Sequence, residues 1–596
     1  MRARRLVMPL AILITVFGAL LRLDAYCGKY GTLDHPRWAF AATHAVAAAA
    51  RHLRPASVHW TPERHPYEGG DPINYLKFAR EMATFYQPHV REPLFLALTR
   101  VSLDVLDQQD AAVSLASAVG STLAIFGTFL LAAELASPLA GLLAALLVAG
   151  EYDLITWSVD GWRDDLFMAT VVFTAWAFLR FRRRASFSNA LLVGCTAGLA
   201  CLTRITALSF VLPALAWIAV AAKASTRRER LTYAAVAGAI MTALVAPFLI
   251  SCAIATGDPL YAIDYHTVYY RAAEGMAVGR PMTASSYIRE KIAAYPFNTL
   301  DIGATGVFVR PFVTKWQGFA MWQPELGPIL RSLAFVGLAA MPFFAAGRLL
   351  LLMLFTSLLP YAFTWNLGDG GAWRFTMHVY PLYIAASTLA VIGAYRIGVA
   401  IATTSPGARR ALVRRYVLSA AAVSCAIAAA SALYLILPWF DVREKLMKGE
   451  SVSVETGERD WPFYRSGWSP PHLDGAIAVR VSDAERASVT FPLPKKDRYE
   501  AILRLDPAAP AMQRTVRVLF NSQFVGVLHL EWNPVRVGSY SVSLPAAWVK
   551  SGINTLTIVP DALVPAKLAG PRFEWIDPSQ PVGVRLWYVR LLPGAP

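Results

Sequence analysis

Residues 67–93 read YEGGDPINYLKFAREMATFYQPHVREP, and the rest of the chain is organised around them. Asp71 with Pro72 is typical of a helix start, because Asp accepts hydrogen bonds from free backbone amides and Pro suits the first turn. Apolar residues then recur at helical spacing from Tyr75 to Tyr86. The pattern predicts a helix that lies along a membrane surface with the Asp71 carboxylate at the water boundary. The simpler alternative is that Asp71 only caps this helix.

The composition indicates a membrane protein that crosses the bilayer many times. Of 596 residues, 56% are hydrophobic and only 16% are charged, which is typical of a polytopic α-helical protein whose first partner is the lipid bilayer. The net charge of +16 would suggest nucleic acid in a soluble protein. Most of the excess lies in short loops between apolar spans, where it sets topology, so no nucleic-acid partner is expected. The five cysteines form no disulfide framework or metal-type cluster.

The apolar spans and basic loops together predict about 11 transmembrane helices. The first span, 6–21, has no cleavage site and is expected to be retained. The other predicted spans are 110–134, 138–153, 162–181, 187–203, 205–222, 231–255, 329–346, 349–365, 373–395 and 416–437. This topology leaves the basic runs at 180–184, 223–230 and 409–415 inside, as the positive-inside rule requires. Two long external loops, 22–109 and 257–328, follow from it, and the short apolar segment 92–106 is expected to lie at the outer surface.

From residue 441 the composition changes to that of a soluble β domain, so we expect domains at 1–440 and 441–596. Short alternating runs separated by turn residues predict a β-sandwich. These runs are 487–493, 499–505, 515–520, 524–530, 539–544, 555–559 and 584–591, with a tight hairpin at Asn521-Ser522. The stretch SLPAAWVKSGINTLTI resembles the last part of a carbohydrate-binding jelly roll. Such a domain either binds sugar through Trp532, Trp548, Trp575 or Trp587, or serves only as a packing lid.

Charged residues at the predicted outer mouths of the spans are the candidate functional groups. Charge in a membrane is costly, so its presence is informative. Each of these charges alone could be a snorkelling anchor, but the predicted topology places four groups on one side. The groups are Asp71; Asp160, Arg163, Asp164 and Asp165; Arg204; and Arg374 with His378.

The ordered set of short motifs resembles the GT-C glycosyltransferases that use polyprenyl-phosphate sugars, including the 4-amino-arabinose lipid A transferases, the protein O-mannosyltransferases and the lipopolysaccharide-core transferases. The matching motifs, spread over residues 6–400, are Asp71-Pro72-Ile73-Asn74-Tyr75, Arg91-Glu92-Pro93, Arg163-Asp164-Asp165, Leu202-Thr203-Arg204 and Arg374-Phe375…Pro381. Two positions depart from the family pattern. Pro72 stands where the family has a second acid, and Asn74 stands where it often has a basic residue.

The resemblance implies a role for each candidate residue. Asp71 would be the catalytic base and Asp165 a second catalytic acid that orients a hydroxyl or a basic side chain. Arg91, Arg204 and Arg374 would bind the lipid phosphate. Further substrate-binding candidates are Tyr75, Asn74 and His378. Secondary candidates are the rival acids Asp24 and Asp34, together with Asp164, Asp264 and His266.

The resemblance also implies the substrates and the location. The donor would be a polyprenyl-phosphate sugar and the acceptor a hydroxyl of a glycan, lipid or protein. No cofactor is required by the sequence, and dependence on a divalent metal stays open. We expect the inner membrane of a bacterium, with a cytoplasmic N-terminus and a periplasmic C-terminal domain. A lipid or sugar transporter and a non-catalytic glycan-binding membrane protein are the alternatives.

Overall fold

The computed structural model divides the chain into two compact units, and each is described here by itself. The first comprises residues 1–288 and 303–419, and the second comprises 289–302 and 420–596. The predicted external loop 257–328 therefore contributes residues to both units. The structure describes residues 2–30, 71–223, 226–273, 283–304, 326–362, 375–403, 406–457, 459–474, 477–508, 515–531, 537–569 and 576–594.

Helices make up the first unit. They are α1 (Arg2–Tyr30), α2 (Asp71–Glu81), α3 (Pro93–Val105), α4 (Ala111–Leu135), α5 (Pro138–Ala149), α6 (Tyr152–Trp157), α7 (Asp164–Arg183), α8 (Phe187–Thr203), α9 (Leu208–Ala221), α10 (Arg227–Thr256), α11 (Tyr261–Ala273), α12 (Ala284–Ala294), α13 (Pro296–Ala304), α14 (Leu326–Ala340), α15 (Ala345–Ala362), α16 (Tyr380–Thr403) and α17 (Pro406–Met447), of which α12, α13 and α17 reach into the second unit. Short 3-10 turns precede α9, α15 and α16.

Several of these helices are long and apolar enough to cross a membrane, as the sequence predicts. In the described part of the chain these are Leu6–Tyr30, Ala111–Leu135, Arg227–Thr256, Ala345–Ala362 and Met377–Thr403, and four shorter apolar helices accompany them. On α1, Leu6, Leu13 and Leu20 are 61%, 63% and 57% exposed. Leucines exposed in this way face lipid at no cost, because the bilayer interior is as apolar as they are. The chain is a multi-pass membrane protein.

The predicted helix start at Asp71 is confirmed, since α2 begins there and buries Tyr75, Leu76 and Ala79. The helix ends at Glu81, although the apolar pattern runs on to Tyr86. The helix ends here because the Gln87 side chain accepts hydrogen bonds from the amides of Ala83 and Thr84. These amides are therefore satisfied outside the helix.

Glycine allows α7 to begin close against α4. A Cβ added at Gly120 would lie 2.6 Å from the backbone nitrogen of Leu166, so only glycine permits this approach. Gly161 turns the chain into α7 with a φ of +83°, a conformation that favours glycine. Ser117 Oγ, one turn before Gly120 on α4, lies 2.8 Å from the Trp162 carbonyl oxygen. These contacts fix the start of α7, where the acidic and basic residues of the predicted span mouth lie.

The second unit contains a β-sandwich of two antiparallel sheets. Its strands are β1 (Val452–Glu455), β2 (His472–Asp474), β3 (Ile477–Val481), β4 (Ala487–Leu493), β5 (Tyr499–Pro507), β6 (Thr515–Phe520), β7 (Gln523–His529), β8 (Gly538–Leu544), β9 (Gly552–Pro560), β10 (Val564–Pro565), β11 (Pro581–Val582) and β12 (Val584–Pro593). One sheet has the order β2-β3-β12-β5-β8 with β1 also on β12, and the other has the order β4-β9-β6-β7. Inward-facing side chains of both sheets, such as Leu503 and Val518, share one core.

The seven predicted strands are all present, and the predicted C-terminal β domain is confirmed. The strands that sequence patterning missed, β1, β2, β3, β10 and β11, are five residues long or shorter, too short to show alternation. Among the candidate tryptophans, Trp587 is buried in the core and Trp548 is half-buried. Trp532 and Trp575 lie outside the described residues.

The predicted hairpin at Asn521-Ser522 joins β6 to β7. Both residues have positive φ, 50° and 72°, as a type I′ turn requires. The Asn521 side chain is fixed by three hydrogen bonds, since Nδ2 donates to the Trp548 carbonyl and to Asn554 Oδ1, and Oδ1 accepts from the Thr555 amide. Ser522 is exposed.

Replacing Ser522 by glycine is expected to stabilise the second unit by about 0.5–1 kcal/mol, because glycine adopts positive φ without strain. Asn521→Gly also relieves strain but removes the three side-chain hydrogen bonds, so it should destabilise by roughly 1–3 kcal/mol. Thermal unfolding of the full-length protein, followed by near-ultraviolet circular dichroism, measures both effects. Shifts of the same sign in the two variants would contradict this account of the turn.

Candidate functional site

The start of α2 carries an ion pair between Asp71 and Arg91. Arg91 Nη2 donates to Asp71 Oδ1 at 2.8 Å, and the other terminal nitrogen, Nη1, donates to His266 Nε2. Because His266 accepts this hydrogen bond through Nε2, its ring proton lies on Nδ1. Three segments that are distant in sequence, at positions 71, 91 and 266, therefore meet at one guanidinium group.

A second ion pair joins Glu92 to Arg163, just before α7. Arg163 Nη1 donates to Glu92 Oε2, and the Ile205 amide donates to Glu92 Oε1 at 2.8 Å. Both carboxylate oxygens are thus used, and Glu92 is only 4% exposed. A buried carboxylate is tolerated when it is both paired and hydrogen-bonded, which describes Glu92.

A third ion pair joins Asp164 on α7 to Arg204 in the turn after α8. The Arg204 guanidinium lies 5.6 Å from the ring centres of both Phe167 and Tyr361. It also donates to the Tyr361 hydroxyl at 3.5 Å, and this hydroxyl is 2.7 Å from Thr206 Oγ1. Arg204 is therefore held by charge, by two aromatic faces and by the next turn of the chain.

The three ion pairs differ in their access to solvent. The side chains of the Asp71–Arg91 pair are 21% and 12% exposed, whereas those of the Glu92–Arg163 and Asp164–Arg204 pairs are 8% exposed or less. Tyr75 of α2 lies between the accessible pair and one buried pair. Its ring centre is 5.5 Å from the Arg91 guanidinium and 5.8 Å from that of Arg163. The Asp71–Arg91 pair is therefore the most solvent-accessible of the three.

Each of the three guanidinium groups keeps a buried Nε–H. No described residue accepts a hydrogen bond from Nε of Arg91, Arg163 or Arg204. Such donors favour an anionic oxygen, for which arginine is well suited.

The structure places Asp165 in a different set of contacts from Asp71. Asp165 is fully buried, and its Oδ2 accepts from Ser117 Oγ of α4 at 2.7 Å. One turn further along α4, Ser121 accepts from Arg22 of α1 at 2.8 Å. Within the described ranges no hydrogen bond or ion pair joins Asp165 to Asp71 or Arg91.

The remaining candidates are spread over the first unit. His378 is buried between the rings of Phe167 and Tyr361, and its Nε2 is 3.2 Å from Ser357 Oγ. Asp264 accepts from the Ala284 amide at the start of α12, a contact typical of a helix cap. Four further candidates remain. Asn74 is half-buried on α2, Asp24 is exposed on α1, and Asp34 and Arg374 lie outside the described residues.

Sequence reasoning missed Glu92 and Tyr361 as parts of this cluster. In the motif, Glu92 stands only as the neighbour of Arg91, although a carboxylate before the apolar run of α3 is itself a costly charge. Tyr361 is one of several aromatic residues near span ends, and such residues are common at membrane interfaces. Its contact with Arg204 depends on packing between α15 and the turn after α8, for which the sequence carries no local signal.

Burial and charge act together on the ionisable groups of α11, which lies in the predicted second external loop. Burial and the neighbouring Arg91 lower the pKa of His266 to about 2, so the imidazole stays neutral at physiological pH. Burial raises the pKa of Asp264, and its hydrogen bond from the Ala284 amide opposes this shift. In the part of the chain that the structure describes, no group of His, Cys, Asp and Glu is arranged to hold a metal ion.

A family comparison matches the segment that contains much of this site. Residues 87–250 match the family described as dolichyl-phosphate-mannose-protein mannosyltransferase. Over these residues, this match confirms the predicted resemblance to the GT-C glycosyltransferases. Arg91, Glu92, Arg163, Asp164 and Arg204 all fall inside the matched segment. A comparison with curated protein sequences gives no significant match.

Among solved structures, the chain is similar to an oligosaccharyltransferase of Archaeoglobus fulgidus tethered to an acceptor peptide, at 18% identity and a TM-score of 0.37, covering 68% of this chain and 55% of that one. It is also similar to ArnT from Cupriavidus metallidurans, at 14% identity and a TM-score of 0.35, covering 69% and 71%. A CBM36-1 domain of a multidomain xylanase from a Trinervitermes trinervoides hindgut metagenome gives 11% identity and a TM-score of 0.17, covering 25% and 99%. The chain spans about half the length of the archaeal oligosaccharyltransferases that it matches.

The depressed pKa of His266 predicts a specific loss of stability in acid. The folded state keeps this ring neutral down to a pKa of about 2, whereas the unfolded ring protonates near 6.5. Below pH 6.5 the unfolded state therefore binds more protons, and stability falls with pH by at most about 1.4 kcal/mol per pH unit. His266→Gln, which can still accept from Arg91, removes this contribution.

Thermal unfolding of the full-length protein between pH 4 and 8 compares wild type with His266→Gln. The difference between their stabilities should be constant above pH 7 and should change in favour of the variant as the pH falls below 6.5. Parallel profiles over the whole range would contradict the neutral, buried state of His266.

Proposed function

We propose that this protein is a membrane glycosyltransferase that moves a sugar from a polyprenyl-phosphate donor to a hydroxyl group of a cell-envelope glycan, lipid or protein. The observation that carries the proposal is the partly exposed Asp71–Arg91 pair, 2.8 Å long and flanked by two buried ion pairs. An acid and a cation at one accessible point meet the two demands of the reaction, a base for the acceptor and a positive charge for the leaving phosphate. The family match over residues 87–250 supports the same class.

In this proposal Asp71 is the general base. A hydroxyl is a weak nucleophile, so a carboxylate takes its proton while the new bond forms at the anomeric carbon. The attack displaces the lipid phosphate from the opposite face, which inverts the configuration. Asp71 lies at the first turn of α2, whose amides favour negative charge at that end.

Arg91 is the first phosphate contact in this proposal. Its Nη groups are used by Asp71 and His266, and its Nε–H meets no acceptor among the described residues. A phosphate oxygen can therefore bind at Nε without breaking either existing hydrogen bond. Arg204 is buried, and in this proposal its fixed charge adds to the stabilisation of the departing phosphate. Arg374 stays a sequence-based candidate for the same role.

Further residues complete the proposed site. Tyr75, Asn74 and His378 stay candidates for contact with the substrates, and Asp165 for a second, orienting acid. Because Asp165 is buried against Ser117, in this proposal it acts on the site through α7 and not by contact with Asp71.

The proposed topology has eleven crossings, with the site and the β-sandwich on the extracytoplasmic side of a bacterial inner membrane. A helix of the described part of the chain overlaps each of the eleven predicted spans, which supports this count. Backbone hydrogen bonds join Lys223 to Arg182 and Ala185, so the basic runs at 180–184 and 223–230 meet on one side, as the positive-inside rule expects.

Asp71→Asn is expected to reduce transfer by about 10²–10⁴-fold, the usual contribution of a general base. Asparagine keeps the size and much of the helix-start preference of aspartate, so expression should be nearly unchanged. The measurement is mass spectrometry of cell-envelope glycans from a deletion strain that carries each variant. Asp24→Asn is the matched control, because Asp24 is an exposed acid on α1. Full activity of Asp71→Asn would overturn the assignment of the base.

Reporter fusions test the topology independently of activity. A fusion after Leu437 should be extracytoplasmic and one after Arg184 cytoplasmic, because an odd number of crossings separates the two sites. Dual reporters, active only on one side of the membrane, measure this directly. If both positions report the same side, the eleven-span topology is wrong.

A further inference from the structure

Glu92 occupies a special place in the network of ion pairs. One oxygen accepts from Arg163 at the start of α7, and the other accepts from the amide of Ile205 in the turn after α8. The residues next to these two partners, Asp164 and Arg204, form an ion pair of their own. The segments at 92, 163–164 and 204–205 are thus joined pairwise in a closed ring of contacts.

A closed ring restricts motion more than a chain of contacts does. If one segment moves relative to the others, at least two of the three connections must break, and both ion pairs lie in a buried environment where a lone charge is costly. The ring therefore fixes the backbone of residue 92 against α7 and α8. Arg91 is the adjacent residue, and its Cα lies one peptide unit, about 3.8 Å, from that of Glu92.

We propose that Glu92 is a positioning residue for the donor phosphate. It fixes the backbone of Arg91, so that the Arg91 Nε–H points to one defined place beside Asp71. It also fixes the turn that carries Arg204. This inference rests on the proposed function, because it concerns the anion that the arginines bind. It explains why a buried acid follows Arg91 directly, at a position where the charge touches no solvent.

A purely structural role for Glu92 makes a different prediction. If its carboxylate only neutralises Arg163, its removal lowers stability and affects all ligands equally. If it positions Arg91, its removal affects the phosphate group in particular. The decisive quantity is therefore the preference for a lipid with a phosphate over the same lipid without one.

The experiment measures binding of farnesyl phosphate and of farnesol to the full-length protein in detergent micelles, by microscale thermophoresis. The ratio of the two dissociation constants is the phosphate preference. Glu92→Gln keeps the size and an acceptor for the Ile205 amide but loses the charge that holds Arg163. Glu92→Asp keeps the charge but is one methylene too short to reach both partners. This second variant keeps the test valid if Glu92→Gln does not fold.

The control for loss of a buried carboxylate is Glu151→Gln. Glu151 is 1% exposed and accepts from the Tyr380 hydroxyl at 2.7 Å, outside the ring. Arg91→Gln is the positive control, which removes the proposed phosphate contact itself. The melting temperature of every variant is also measured, so that a change in the phosphate preference can be distinguished from a loss of stability.

We expect the phosphate preference to fall about tenfold in Glu92→Gln, which corresponds to about 1.4 kcal/mol, and by a smaller factor in Glu92→Asp. Glu151→Gln should keep the wild-type ratio at a similar melting temperature. Wild-type ratios in both Glu92 variants, or an equal fall in Glu151→Gln, would overturn the positioning role while the proposed function stands. Two results would overturn the positioning role and the proposed function together. One is a wild-type protein that shows no phosphate preference, and the other is a preference that stays unchanged in every variant, Arg91→Gln included.

Discussion

Charge buried away from water must be paired, and this requirement determines how the first unit is assembled around its site. An isolated arginine or carboxylate in the interior would cost several kcal/mol, whereas a hydrogen-bonded pair can be tolerated. Glu92, Arg163, Asp164 and Arg204 are all buried, and each has a partner on another segment. The pairs therefore bring together helix ends that are far apart in sequence.

The same requirement separates the accessible part of the site from its support. The Glu92–Arg163 and Asp164–Arg204 pairs are buried and join separate segments, so they hold these segments in place. The Asp71–Arg91 pair is open to a ligand, and His266 adds a neutral acceptor instead of a further charge. A reacting group is best held by rigid surroundings, since small displacements of catalytic groups are costly. Rigidity here comes from the buried pairs, and the proposed reaction uses the more accessible one.

The second unit uses buried pairs in the same way, without a visible link to chemistry. Arg585 of β12 is paired with Asp506 of β5, and Arg480 of β3 makes two hydrogen bonds of 2.6 Å to Asp460. These pairs connect strands and loops inside an otherwise apolar sandwich. The segment 289–302 is also fixed to this unit, since Glu444 of α17 accepts from the amide of Phe297 at the start of α13. A part of the predicted second external loop is thereby built into the β-containing unit.

The sequence alone determined the features that depend on local pattern. Hydrophobic length and basic loops predicted the multi-pass helical region, alternation predicted seven strands, and Asn521-Ser522 predicted a hairpin, because each rests on neighbouring residues. The order of the motifs predicted Asp71 and Arg91 as candidate site residues. Only the tertiary structure decided which charges meet. Glu92 and Tyr361 carry no local signal, and Asp165, one residue from Asp164, contacts Ser117 on α4 while Asp164 pairs with Arg204. Successive residues at the start of a helix point in directions about 100° apart, so their partners follow from the packing of α4, α7 and α8 and not from their position in the motif.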